Sequence, residues 1–436
     1  MTNNIVTVNV SQTLAPAPST LQQIGAFISQ GATTLTSGTK SLLTQFSDLT
    51  AILSASKPIT SMTWSTNVVT ATTTSPHGYT NGETVQLLIA GVTPAGYNGV
   101  FACTITGAST FTYPLLTNPG SSTVQGTVVV EDEQELVAMA TTFFAQGNAT
   151  GVYVLELGEG TPADGVTSLN TYIQANLLTI YSFLVPRAWA AEPTFITMAA
   201  NYTAPTARTY FFVTMTSGNY TGWTALDKCV VGMVEATGIA VTEFSLAALF
   251  YVTLNYNPSS GNLVTPTAFS YLYGVTAINP IGNGPLLAAL KTANVNVVAT
   301  GAEGGISLTM VKWGVTMDGN DFTYWYSVDW VQINMDLNIA NEIINGSNNP
   351  TNPLYYNQAG ITRLQARAQA VMTQAISYGL ALSPATVTAI PFAAYVAANP
   401  SNYPKGIYTG LAVTYTPARG FISITFNVNV TQFVTQ

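Results

Sequence analysis

Residues 5–11 alternate strictly, with Val6, Val8 and Val10 on one face and Thr7, Asn9 and Ser11 on the other, before Pro16 and Pro18 close the run. A period of two predicts a strand with one buried face. Residues 422–430 repeat the pattern: Ile422, Ile424, Phe426, Val428 and Val430 fall on one side, and Ser423, Thr425, Asn427 and Asn429 on the other. The chain is expected to begin and end in strands. Two arrangements fit the pattern. Each strand could pair within its own domain, or it could add to the sheet of another copy and carry main-chain hydrogen bonds across a subunit boundary. In the second case Pro16-Ala17-Pro18 would be a semi-rigid spacer.

Between residues 57 and 130 the chain becomes rich in Thr, Val, Gly and Ser, and short β runs are predicted at 68–73, 84–89, 100–105, 110–113 and 123–130. Turn dipeptides Asn81-Gly82 and Asn98-Gly99 separate some of them, so this block reads as a compact all-β module. Beyond residue 130 helical and strand patterns alternate. A helix from Glu131 to about Phe144 precedes a strand at 151–157, a helix at 168–178, a strand at 180–185, a further helix and a strand at 210–216. That order predicts a sheet covered by helices. Further on, a helix at 285–292 leads to a strand at 295–300. A hairpin is then expected from 309–315 and 323–327, turning at Met317-Asp318-Gly319-Asn320. Ile361, Leu364, Ala368, Val371, Met372, Ala375 and Ile376 recur at helical spacing and Gly379 stops them, which predicts an amphipathic helix.

Composition points toward association. At 436 residues the chain is long enough for several domains. Its charged residues are 7% of the total, against roughly 25% in ordinary domains. A surface poor in charge lacks the repulsion that keeps copies apart. The formal charge is −8 and the eleven Lys and Arg are scattered, so no basic patch is present to neutralise phosphates and nucleic acid is not an expected partner. The most apolar stretch, residues 244–254, is about half the ~20 residues a bilayer span needs, so no membrane insertion is expected. The opening Met1-Thr2-Asn3-Asn4 lacks the basic and apolar regions of a signal peptide, which points to synthesis in a cytoplasm. Cys103 and Cys229 have no ligand-type neighbours and read as reduced thiols.

Candidate chemistry is sparse. The single histidine, His77, sits in Ser75-Pro76-His77-Gly78-Tyr79 and reads as a turn residue, with no second His for a metal pair. Glu131, Asp132, Glu133 and Glu135 occupy a predicted first helical turn, where the helix dipole favours carboxylates. Asp318 and Asp321 lack calcium-loop spacing and belong to a turn. Residues 158–165 and 301–305 are rich in Gly but carry neither a P-loop nor a dinucleotide fingerprint. Arg363 and Arg367, one helical turn apart, could grip an acidic patch on another subunit or stand as solvated cations on a polar helix face. No catalytic, cofactor or metal site is expected, and the protein is not expected to be an enzyme.

Several segments resemble bacteriophage contractile tail sheath proteins. Residues 136–148, with Phe143-Phe144-Ala145-Gln146-Gly147, followed by Val152-Tyr153-Val154-Leu155, are similar to a helix and strand of that family, and Ile24-Gly25-Ala26-Phe27-Ile28 to the strand before them. Asn294-Val295-Asn296, Trp313-Gly314-Val315-Thr316 and Leu354-Tyr355-Tyr356-Asn357-Gln358-Ala359-Gly360-Ile361 agree in order, and residues 408–434 resemble the closing β region. Thr316 departs from the family, where an Arg often follows Trp-Gly-x. The block with His77-Gly78-Tyr79, Tyr97-Asn98-Gly99 and Phe111-Thr112-Tyr113 resembles a β module inserted in various phage structural proteins.

The resemblance implies a multidomain α+β and α/β chain: an N-terminal arm (1–20), a sheath-type α/β core (21–56 and 131–280), an inserted all-β surface module (57–130), a C-terminal sheath domain (281–419) and a C-terminal strand arm (420–436). It also implies a virion protein of hexameric rings stacked helically around a tail tube, whose contraction drives the tube through the host envelope. The implied partners are further copies of the chain, the tail tube protein, and baseplate and tail terminator proteins. The self-assembly residues would be Val6, Val8, Val10, Ile422, Ile424, Phe426, Val428 and Val430. The alternatives are another tail component (tube, baseplate or fibre) and, in a different class, a virion-associated glycan-degrading enzyme, which would need paired carboxylates in a cleft.

Overall fold

The computed structural model describes residues 18–54, 56–77, 79, 81–82, 84–216, 218–223, 228–300 and 307–423. They fall into two compact units: residues 21–256, 265–325 and 419–423 form the larger, and residues 18–20, 257–264 and 326–418 the smaller. The boundary drawn from sequence at residue 281 does not coincide with this division, because residues 265–325 cluster with the larger unit.

The larger unit is built on β1 (Gly25–Ser29), all of whose residues are buried. After β2 (Lys40–Leu43) and α1 (Phe46–Thr50) the chain leaves the sheet. It then makes β3 (Lys57–Ser65), β4 (Val68–Thr73), β5 (Thr84–Thr93), β6 (Gly99–Gly107), β7 (Thr110–Pro114) and β8 (Val124–Val130). These close into an antiparallel barrel of order β3-β4-β7-β6-β5-β8, filled by Val69, Leu87, Cys103, Ile105, Phe111 and Tyr113 among others. Closure leaves no open edge. β3 was not anticipated as a strand because a register shift between Ile59 and Ser61 puts its two buried residues, Ile59 and Met62, three apart. Such a bulge erases the period of two.

From the barrel the chain returns through α2 (Glu131–Ala145) to β9 (Val152–Glu156), then α3 (Pro162–Ala175), β10 (Ser182–Leu184), α4 (Pro193–Ala199), β11 (Tyr210–Met215) and β12 (Val230–Val234). α5 (Ser245–Leu254), α6 (Gly284–Thr292), β13 (Asn296–Thr300) and β14 (Thr309–Lys312) complete it. The sheet order is β14-β13-β12-β11-β10-β1-β9-β2, with the strands from β13 to β9 parallel and both edge strands antiparallel. Strands buried on both faces read as unbroken apolar runs, as Tyr210-Phe211-Phe212-Val213 does. On one face α2 and α5 bring Phe143 and Phe250 against Phe27 and Phe212, with ring centroids 5.4 Å apart for Phe27 and Phe143 and 4.8 Å for Phe212 and Phe250. On the other, α3, α4, Trp189 and Trp223 pack on Ala26, Ile28, Phe211 and Val213. α3 begins six residues before the expected helix at 168, because Thr161 and Asp164 form a capping box and Pro162 takes the first helical position.

The smaller unit takes most of α7 (Phe322–Asn348), together with α8 (Gln358–Ser377), β15 (Ala381–Ala389), α9 (Phe392–Ala398) and β16 (Leu411–Pro417). α8 is the helix expected from its spacing: Ile361, Ala368, Val371, Met372 and Ala375 are buried, and Gly379 ends it at φ 72°. The hairpin expected from 309–315 and 323–327 is corrected. β14 pairs with β13 instead, and residues 323–327 are the opening of α7. The turn itself exists, with Thr316 N–H donating to Asn320 O at 2.9 Å. Phe322, Tyr326, Trp330 and Ile333 are all buried at helical spacing, and that face outweighs the local β propensity of Thr323-Tyr324-Trp325-Tyr326.

Candidate functional site

In open α/β sheets whose strands run in the order 2-1-3-4-5, ligands bind beyond the carboxyl ends where the order reverses. Here that point lies between β1 and β10, and the chain's own side chains occupy it. The fully buried Trp189 donates Nε1–H to Gln30 Oε1 at 2.7 Å, and Gln30 Nε2 donates to Thr161 O at 2.9 Å. Beside them Glu156, 1% exposed, accepts from Ser29 Oγ, Thr33 Oγ1 and Gly31 N at 2.7 Å and from Gly158 N at 2.8 Å. A buried carboxylate so satisfied joins the loops after β1 and β9. Sequence reasoning missed Glu156, since an acid ending an apolar strand carries no local signal of its partners.

A cleft of about 760 Å³ opens at the carboxyl ends of β11 and β12. In it Arg187, just after β10, pairs with Glu135 of α2 at 3.2 Å and with Glu235 after β12 at 2.8 Å, and also donates to Glu243 O at 2.9 Å. Burial alone would lower the Arg187 pKa, but Glu235 and Glu135 outweigh it and hold the guanidinium above its ordinary value. Glu243 in turn accepts from Ser245 Oγ at 2.6 Å and Thr276 Oγ1 at 2.7 Å. These carboxylates tie α2, β10 and β12 together. Glu135 therefore does more than the helix-start role expected of residues 131–135.

Glu133, from the same acidic run, faces a cavity of about 170 Å³ lined also by His77, Lys57 and Glu159, between the barrel and the sheet. His77 is 7% exposed, accepts Tyr79 N–H at Nδ1 (3.2 Å) and stacks on Tyr79 with centroids 5.1 Å apart. It is a packed barrel residue in a turn. Burial pushes the Glu133 carboxyl up to about 7 from 4.5. A carboxyl whose pKa is higher folded than unfolded binds its proton more tightly in the native state, so stability is greatest below pH 4.5 and is lost as pH rises to about 7. Glu133→Gln should therefore flatten this part of the pH profile, raising the melting temperature at pH 7.5 relative to the parent and leaving it little changed at pH 4. Parallel parent and variant profiles would refute the assignment.

Asp318 accepts from Thr316 Oγ1 at 2.6 Å, Asn320 N at 2.9 Å and Trp325 Nε1 at 2.7 Å, as a turn residue should. Asp321 is buried and accepts Gly420 N–H at 2.9 Å, and burial raises its pKa. Among the described residues no group of three or more His, Cys, Asp or Glu is placed to hold a metal. Cys103 and Cys229 are buried thiols outside any disulfide, and burial pushes Cys103 up to about 12. Among the described residues, no helix is long and apolar enough to cross a membrane.

Arg363 and Arg367 differ from both expectations: each binds Glu342 of α7, at 2.6 and 2.7 Å, joining α8 to α7 within the smaller unit. Burial would raise the Glu342 pKa, but Arg367 and Arg363 outweigh it and hold the carboxyl below its usual range. The pairing thus stabilises the fold above the ordinary carboxylate pKa and is lost on acidification. With both arginines partly exposed, Glu342→Gln should cost about 1–2 kcal/mol at pH 7 and little at pH 3. Urea titration at the two pH values would check this.

Of the expected assembly residues, Val6, Val8, Val10, Ile424, Phe426, Val428 and Val430 lie outside the described residues. Ile422 sits in a bend, not a strand, and packs half-buried against the core of the larger unit. What the structure adds is a sheet that strands could join. β15 and β16 form a two-stranded antiparallel sheet, and among the described residues β16 pairs with β15 alone. Leu411, Val413 and Tyr415 of β16 are half-buried while Ala412, Thr414 and Thr416 are exposed. β16 lies within residues 408–434, the segment whose resemblance implies a closing β region.

No family model and no curated protein matches the chain. Solved structures do. A chain in the 6-fold symmetrised baseplate of the anti-feeding prophage superposes with a TM-score of 0.54 at 10% identity, over 99% of this chain and 100% of that one. A chain of the contracted helical sheath of the same particle gives 0.53 at 9% identity, again over 99% and 100%. A chain of its contracted baseplate gives 0.50 at 12% identity, over 98% and 99%. The chain shares the fold of these sheath and baseplate chains.

Proposed function

We propose that this protein is the subunit of a contractile tail sheath, a non-catalytic component that polymerises as stacked hexameric rings around a tail tube and shortens to drive the tube through a host envelope. The observation that carries this is the sharing of the sheath fold over 99% of the chain. The β15–β16 sheet supports it: among the described residues it has two strands, and so small a sheet is marginal in water and gains from further strands. The alternating segments at 5–11 and 422–430 are of the right kind to supply them. Subunits tied by such strands can rotate and repack their cores without separating. The barrel, entered and left between α1 and α2, is the outward surface module in this scheme.

Likeness to baseplate chains favours a second location, a ring at the base of the tail. Negative-stain microscopy of the purified protein separates the readings. Ringed tubes with cog-wheel cross-sections are expected of a sheath, isolated rings of a baseplate component, and dispersed monomers at high concentration would overturn both.

A further inference from the structure

Among the described residues, the larger unit has an accessible cleft and the smaller unit an exposed turn whose chemistries complement each other. The cleft is the opening at the carboxyl ends of β11 and β12, about 760 Å³ in volume and within the size range of sites that enclose a ligand or an anchoring side chain. Three carboxylates, Glu135, Glu235 and Glu243, line it with a single guanidinium, Arg187, paired to the first two, which leaves negative charge in excess. Thr214, 5% exposed, also lines it, and its hydroxyl has no hydrogen-bond partner among the described residues. Exposed apolar side chains stand beside it: Val241 is 70% exposed, and Ile281, between the lining residues Asn279 and Asn283, is 84% exposed. An acidic lining beside exposed apolar side chains suits a cation carried between apolar side chains.

The smaller unit presents such an element at residues 403–407. Tyr403 and Ile407 are 48% and 43% exposed, with Lys405 exposed between them. The turn is held in shape: Gly406 N–H donates to Tyr403 O and Ile407 N–H to Asn402 O, both at 3.0 Å, and Tyr356 Oη donates to Ile407 O at 2.8 Å. The Tyr403 ring packs on Tyr356 and Phe392 with centroids 5.3 and 5.6 Å away. A pre-shaped turn loses little entropy on docking, and aromatic anchors dominate interface energies. Six other cations are engaged inside the chain. Arg187, Arg363 and Arg367 are ion-paired, and Lys40, Lys228 and Arg419 lie over aromatic rings.

We propose that this cleft receives the turn at residues 403–407 of a second copy, with Lys405 over the carboxylates and Tyr403 and Ile407 against the exposed apolar side chains beside it. The two patches differ, so the contact is heterologous, the kind that propagates into rings or helices instead of closing as a dimer. It rests on the sheath reading for the presence of neighbouring copies. The test uses the full chain carrying Thr242→Cys and Ser401→Cys, exposed positions beside the contact that leave Val241, Tyr403, Lys405 and Ile407 in place, with native Cys103 and Cys229 buried. Treated with a short bismaleimide under assembly conditions, the double variant should give a ladder of covalent multimers. The two single variants should give a cross-linked dimer only when mixed. A ladder without tubes would uphold the contact and count against the sheath. Tubes without any cross-link would overturn the contact and leave the sheath reading standing, and neither tubes nor cross-links would overturn both. Lys405→Glu should weaken association at least tenfold while Lys405→Arg preserves it, and equal association of the two would also refute the contact.

Discussion

A chain ending at Ser423 is expected to fold normally and to fail to polymerise. Removing residues 424–436 takes away most of the alternating run that begins at Ile422, while keeping Ile422 itself, which packs against the core of the larger unit. A strand of that length added to the edge of β16 would form roughly four to six main-chain hydrogen bonds, each worth about 1 kcal/mol net. Losing about 4–6 kcal/mol per contact lowers an association constant by three to four orders of magnitude. Because every subunit in a ring or helix depends on the same contact, the loss compounds and polymer should vanish rather than thin out. Size-exclusion chromatography should show a monomer with the parent's far-ultraviolet circular dichroism and melting temperature. Unchanged tubes would sink the arm hypothesis, and a lowered melting temperature would place the segment within the chain's own fold.

The sheet of the larger unit was largely legible from sequence, and the reason is its burial. β9, β10 and β11 are buried in the sheet, so their residues are predominantly apolar, and α2 and α8 carry a clear helical period. β12, Val230-Val231-Gly232-Met233-Val234, is equally apolar but was passed over, with no turn signal close on its amino side. α7 was misread because its aromatic opening has strand propensity, while its helical face appears only over the longer span from Phe322 to Ile333. The links that fix the candidate sites were not legible at all. Arg187 lies 52 residues from Glu135 and 48 from Glu235, and Arg363 lies 21 from Glu342. Pattern along a chain reports local period and burial, but it does not report which distant charges meet.

Phe250→Ala should be among the most damaging single substitutions in the larger unit. Phe250 is fully buried in α5, with its ring 4.8 Å from Phe212, 6.0 Å from Phe27 and 6.3 Å from Phe143 by centroid. Truncating such a ring costs about 3–5 kcal/mol through lost transfer energy and the cavity left behind. That is a large part of the 5–15 kcal/mol typical of a folded domain. Gly25 of β1 supplies the internal control. A Cβ placed there would lie 2.6 Å from Phe250 Cζ and 2.7 Å from Leu254 Cδ1, so β1 can approach α5 only without a side chain. Gly25→Ala should therefore cost about 1–3 kcal/mol by overpacking. In the double variant the added methyl no longer meets the Phe250 ring, though Leu254 still crowds it, so the double variant should lose less than the sum of the two single losses. Because two compact units need not unfold together, the cycle should be read from near-ultraviolet circular dichroism across a urea titration, fitted for the larger unit's transition. Strict additivity would mean that α5 and β1 relax apart independently, and the close approach of Gly25 to Phe250 would then not be what sets the packing of this face.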